Sequence, residues 1–188
     1  LLRCLYKKHP VKIDIAGSTE SIAKINTGFL CKCYNAFYAP SNMVLFVAGD
    51  VVPDKVLETV EKSAKHMEPA DFILDEFTEP EEICEKEFLQ SLSVSRPMFE
   101  LGFKEKPTTD VLKFEGAYNV LMDIIFGKSS PLYQRLYDEE LINSSFSAGY
   151  NAGNGYAFAE VGGESDDPWK VRDIIFEYLK DLRNKGIS

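Results

Sequence analysis

The stretch IIFGKSSPLYQRLYDEELI, residues 124–142, holds the most provocative chemistry in the chain: Gly127, Lys128 and Ser129 in a row. That triplet ends the phosphate-cradling loop G-x-x-x-x-G-K-[ST], whose backbone amides and lysine wrap a nucleotide's phosphates. The first glycine of the pattern would stand at position 122, which is Met122. Residues 110–126 also carry a helical stripe, so Gly127 ends a helix instead of following a strand, and the phosphate reading fails on both counts. Metal chemistry is as thinly supplied. The two histidines, His9 and His66, form no i, i+4 pair and no H-x-x-E-H. Cys31 and Cys33 sit two apart on a helical pattern, where side chains point to different faces. His9 precedes a proline and reads as a local hydrogen-bonding residue, His66 as a helix-terminus residue. Serines abound without G-x-S-x-G, and Asp138, Glu139 and Glu140 read as a solvated helix face. No self-contained catalytic apparatus is present, so the chain is a binder, a scaffold or part of an enzyme.

The elements that would position these residues follow from periodicity and caps. Ser18 or Thr19 caps a short helical segment over 17–25. Leu30, Tyr34, Phe37 and Tyr38 step at helical spacing until Pro40. The continuous apolar run Met43–Gly49 predicts a strand buried on both faces. Pro53 opens a helix striped by Val56, Leu57, Val60 and Ala64, with Lys65 and His66 in its last turn. Residues 71–87 are acidic and punctuated by Pro80, and read as a linker between units 1–70 and 88–188. Beyond it, 90–96 and 98–105 alternate like strands. Thr108 or Thr109 caps a long helix ended by Gly127 as a left-handed C′ residue. Ser129 or Ser130, with Pro131 at the first helical position, starts the next. Residues 144–163 form two strands around a Gly/Asn-rich turn. Asp167 and Pro168 open a last helix striped by Val171, Ile174, Ile175, Tyr178, Leu179 and Leu182. The class is α+β: antiparallel sheets backed by helices, in two tandem related units, the first incomplete and the second short of its final elements.

Composition excludes whole classes of partner. A net charge of −9 without a basic run argues against nucleic acid or an anionic membrane surface. No apolar stretch approaches the roughly 20 residues of a spanning helix. Four cysteines without regular spacing read as reduced thiols, hence a cytoplasmic protein. The opening LLRCLYKKHP looks like the middle of a longer protein, and a signal segment upstream is left open.

Three stretches, taken together and in order, resemble one family. HPVKIDIAGSTESIAKI, FYAPSNMVLFVAGDVVPDKV (through Tyr38, Pro40, Asn42, Met43, Val47, Gly49 and Asp50) and GKSSPLYQRLYDEELI (through Gly127, Ser129, Ser130 and Leu132) are similar to segments of the pitrilysin/insulinase-type zinc metallopeptidases, the inverzincins. Their wording is similar to a bacterial subgroup described as zinc peptidases. The resemblance implies tandem α+β units, with the zinc ligands and the general-base glutamate of H-x-x-E-H upstream of Leu1. This chain would then carry no catalytic residue, no metal ligand and no cofactor, zinc belonging to the parent. It implies the non-metal-binding portion of a metalloendopeptidase subunit, forming a wall of the peptide-binding chamber. The alternative is a non-catalytic partner or scaffold subunit of the same fold. Implied partners are a peptide or unstructured polypeptide, an upstream catalytic domain and, as an option, a homologous partner subunit. Some members hold substrate with an Arg and a Tyr. Those positions fall at Tyr137 and Ser144, with Arg135 two positions before the first. The implied substrate-binding residues are therefore Arg135, Tyr137 and Ser144, although Arg135 also reads as an ordinary surface residue of a helix.

Overall fold

The computed structural model describes residues 1–64 and 77–186. Lys65, His66 and the first part of the acidic stretch lie outside the described residues. Contacts divide the chain into two compact units, Leu1–Ile13 with Glu76–Ser188, and Asp14–Asp75.

In chain order the helices and strands are α1 (Leu2–Leu5), α2 (Thr19–Ile22), α3 (Thr27–Phe37), α4 (Pro53–Ala64), β1 (Met98–Glu105), α5 (Val111–Phe126), α6 (Pro131–Asp138), β2 (Ser147–Gly153), β3 (Tyr156–Glu164) and α7 (Pro168–Lys185). Short 3-10 turns occupy Pro10–Lys12 and Pro40–Asn42.

The larger unit is α+β, a three-stranded antiparallel sheet backed by helices. Strand order is β1-β3-β2, with Leu101 opposite Val161 and Tyr150 opposite Ala159. The β2–β3 hairpin turns through Asn154 and Gly155. Gly155 has φ 79°, a left-handed conformation that side chains resist. Alternation along β3 sends Ala157, Ala159 and Val161 into one core with Met122, Ile125 and Phe126 of α5, Leu132 and Leu136 of α6, and Val171, Ile174 and Ile175 of α7. Phe158 points the other way and is covered by Leu5 and Tyr6. The central strand is thus buried on both faces, and α1 closes the face that the long helices leave open.

Caps explain where the helices begin. Asp167 accepts from Lys170 N at 3.1 Å with Pro168 at the first helical position, as its sequence predicts. Ser130, not Ser129, caps α6 by accepting from Tyr133 N at 3.1 Å. For α5 the cap is Asp110 rather than Thr108 or Thr109. The Thr108 hydroxyl accepts from Asp110 N and holds the aspartate in place.

Three expectations are corrected. Gly127 has φ −64°, so it is no left-handed cap. Glycine is required there because a Cβ would run into the Asp123 carbonyl that its own N–H bonds. Residues 90–96 form no strand; only 98–105 finds a ladder partner, β3. Met43–Gly49 forms no strand either. Among the described residues it has no neighbour to pair with, and a lone strand gains no ladder hydrogen bonds. Val44 is 98 % exposed and Phe46 87 %.

The smaller unit is helical where described. Asn26 caps α3 by accepting from Phe29 N, and Ser18 and Ser21 form a reciprocal capping box at α2. Tyr34 and Tyr38 stack at 4.8 Å, yet both rings remain mostly exposed.

Candidate functional site

Arg135, Tyr137 and Ser144 lie on α6 and in the turn that follows it, and all three are exposed. The structure does not join them into one constellation. On a helix, positions two apart point away from each other. Arg135 reaches along one row to Glu139, Nε to Oε1 at 3.1 Å. Tyr137 lies in the next row, its ring parallel to that of buried Tyr133 at 5.9 Å. Glu139 also takes Lys170 Nζ of α7 at 3.1 Å, so two cations converge on one carboxylate. Hydrogen bonds from Lys170 and then Arg135 hold Glu139 below the usual carboxylate range. The patch therefore presents a Glu139-centred charge cluster beside a half-exposed phenol ring.

The Gly127–Ser130 corner is held by its own hydrogen bonds. Gly127 and Ser130 bond each other, Ser130 N to Gly127 O at 2.8 Å, and Gln134 Nε2 donates to Lys128 O at 2.7 Å. Two of the corner's amides are thus used within the fold, Gly127 N–H by Asp123 O and Ser130 N–H by Gly127 O. Among the described residues there is no group of three or more His, Cys, Asp and Glu side chains able to hold a metal ion. Cys31 and Cys33 are free thiols on α3.

A polar cluster that sequence reasoning missed lies beside β1. Lys104 shares a sheet face with Phe158, and its Nζ meets Glu79 Oε1 at 2.8 Å. Both side chains are buried, 7 % and 5 % exposed. The Glu79 carboxylate also accepts three successive backbone N–H groups, from Lys7, Lys8 and His9, at 2.7–2.8 Å. Lys104 donates further to Pro80 O and Glu82 O and lies 4.8 Å from the centre of the Tyr6 ring. Burial pushes Glu79 up, but bonds from Lys104 and the three amides outweigh it and hold the carboxyl at about 2. Burial, with the Glu79 charge nearby, pushes Tyr6 up to about 12, and its hydroxyl donates to Ala157 O. His9 is buried too. Its Nδ1 accepts from Val11 N, the local bond its sequence suggests, while Nε2 reaches Asn154 O across the unit. Every polar group here has a protein partner, so the cluster is a fastening and not a catalytic centre. No local signal announces it: Glu79 falls in a stretch that reads as a solvated linker, and Lys104 in a strand position that reads as solvent-facing.

A cleft of about 410 Å³ opens at the end of β1 among Glu105, Thr108, Phe114, Tyr118 and Tyr150. Tyr118 and Tyr150 stack at 4.2 Å, and burial raises both phenols.

Comparison with known proteins gives the family. The model of the peptidase M16 inactive domain matches residues 24–188. A curated relative, the uncharacterized zinc protease YmfH of Bacillus subtilis, is 35 % identical over 182 residues, which are 93 % of this chain and 42 % of the relative. An M16-like peptidase from Alicyclobacillus acidocaldarius superposes with a TM-score of 0.86 at 34 % identity, over all of this chain and 46 % of the other. A peptidase M16 inactive domain from Pseudomonas fluorescens, 15 % identical, shares the fold with a TM-score of 0.75 over all of this chain and 46 % of that one. The chain thus spans under half the length of these relatives.

Proposed function

We propose a role on one premise: the chain belongs to the peptidase M16 inactive-domain family. It is the non-metal-binding portion of a zinc-dependent metalloendopeptidase. It lines one wall of the chamber that receives a peptide or unstructured polypeptide, while an upstream domain carries zinc and hydrolyses the bond. The observation that carries this reading is the family match over residues 24–188, together with a relative described as a zinc protease. On this reading residues 1–70 end a first α+β unit, 71–87 lead out of it, and 88–188 form most of a second. The exposed apolar residues of Met43–Gly49 meet the missing part of that first unit. Arg135, Tyr137 and Ser144 face the substrate, and the protein works in the cytoplasm.

The test compares this chain with the same chain extended to the length of its relatives. The long form should bind about one zinc per chain and cleave an unstructured peptide, whereas the 188-residue chain should do neither. Loss of both properties in the long form would point instead to a non-catalytic partner subunit. Tyr137 and Ser144, standing where some members have Arg and Tyr, favour that second reading.

A further inference from the structure

Two of the four cysteines meet through their backbones although about 80 residues separate them in the chain. Cys84 N donates to Cys4 O at 2.7 Å, and Glu85 N donates to the same carbonyl at 3.0 Å. With ordinary backbone dimensions, one N–H···O=C bond leaves the two Cα atoms about 5–6.5 Å apart. Disulfides bridge Cα atoms roughly 4.4–6.8 Å apart. The approach is held from several sides. Glu79 fastens residues 77–84 to the amides of Lys7, Lys8 and His9, and Lys104 binds Pro80 O and Glu82 O from the sheet. Both cysteines carry free thiols; Cys84 is exposed and Cys4 half-buried.

We infer that Cys4 and Cys84 are a disulfide-forming pair that closes in response to a small-molecule disulfide oxidant. The exposed Cys84 thiolate attacks one sulfur of oxidised glutathione, forming a mixed disulfide and releasing one glutathione thiolate. The Cys4 thiolate then attacks the Cys84 sulfur, forming the protein disulfide and expelling the second glutathione. Two protein thiols are oxidised, one glutathione disulfide is reduced to two thiols, and the two protons pass to the departing thiolates. The position of the bond gives it a consequence. The chain leaves the larger unit after Ile13 and returns at Glu76, so both cysteines lie outside the excursion. The disulfide would close one covalent loop around the whole of Asp14–Asp75. Cys31 and Cys33 serve as an internal control, since two positions apart on α3 they point to different faces.

The experiment equilibrates the 188-residue chain with oxidised and reduced glutathione. Remaining thiols are trapped with N-ethylmaleimide, and unreduced proteolytic peptides are mapped by mass spectrometry. A Cys4–Cys84 linked peptide is expected, with Cys31 and Cys33 alkylated. The linkage should form at least about tenfold more favourably in the native chain than in guanidinium, a difference of about 30 mV. In Cys4→Ser, Cys84 should stop at the glutathione mixed disulfide. Cys84→Ser, altered at an exposed position, should leave Cys4 at least about tenfold slower to react. The inference is overturned if Cys4 and Cys84 stay alkylated, or singly glutathionylated, under excess oxidised glutathione. It is equally overturned if native and unfolded chains pair them alike.

Discussion

α6 and α3 carry similar apolar stripes, yet they end up in opposite circumstances. Leu132, Tyr133 and Leu136 of α6 are buried in the core shared with α5, α7 and β3, whereas Leu30, Tyr34 and Phe37 of α3 are more than half exposed. The difference does not lie in the helices, since both are capped by a side chain on the expected amide. It lies in whether the described residues supply a surface for the stripe to meet. In the larger unit, β3 offers apolar residues to both sides. In the smaller, the run Met43–Gly49 has no ladder partner among the described residues and stands open with α3. Amphipathic spacing states which face of an element wants cover; it does not state that the cover is in the same chain.

The sharpest way to break this comparison is to attack the fastening that holds the larger unit's open sheet face. Glu79→Ala strands a buried lysine and removes the acceptor of three backbone N–H groups at once. It should cost about 3–5 kcal/mol, read as a fall in the denaturant midpoint. Acid should work through the same group. The folded carboxyl sits at about 2 against an ordinary 4.5, so below 4.5 the unfolded chain binds the extra proton. Stability is then present above pH 4.5 and falls as pH drops towards 2, by on the order of 3 kcal/mol. In Glu79→Gln that part of the acid dependence should vanish, and an unchanged profile would remove the buried ion pair from the account.

A somewhat smaller effect tests the two stripes directly. Leu136→Ala, at a residue 0 % exposed, should lose about 2–4 kcal/mol through lost burial and the cavity left behind. Phe46→Ser should change the stability of this chain by no more than about 0.5 kcal/mol, since the ring already faces water. In the protein extended to its relatives' length the same Phe46→Ser should become costly, by about 2 kcal/mol, if the missing part covers it. Equal tolerance in both lengths would mean that Met43–Gly49 is a free surface in the whole protein as well.

Local chemistry was legible from sequence, and distant pairing was not. Asp167-Pro168, Ser130-Pro131 and the Asn154-Gly155 turn announce themselves within a few residues, because caps and turns are satisfied by near neighbours. Met43–Gly49 and 90–96 have strand-like composition, but a strand is made by its partner, and composition does not say whether one is present. Gly127 illustrates a subtler failure. Its place after a helix was evident, while the reason for glycine was a steric one, close approach to Asp123, rather than a positive φ. The Glu79–Lys104 pair joins residues that are unremarkable in their own segments. Of the residues proposed to face substrate, the sequence could place Arg135 and Tyr137 on one helix, while their separate rows and the link through Glu139 to Lys170 emerge only in three dimensions.

The smallest expected effect on folding belongs to that patch, and it separates a surface made for packing from one made for contact. Arg135 is about half exposed and pairs with Glu139 in the i, i+4 row. Such a pair contributes little, so Arg135→Ala should shift stability by less than about 0.5 kcal/mol. If the exposed patch faces substrate, Arg135→Ala in the long, zinc-loaded protein should raise KM for an unstructured peptide several-fold and leave kcat nearly unchanged, the pattern of a lost uniform binding contact. Tyr137→Ala should do the same with a larger rise, because a phenol ring presents more contact area than a guanidinium. Unchanged KM in both variants would return Arg135 and Tyr137 to the solvated surface, and leave exposure in the larger unit with no more meaning than exposure in α3.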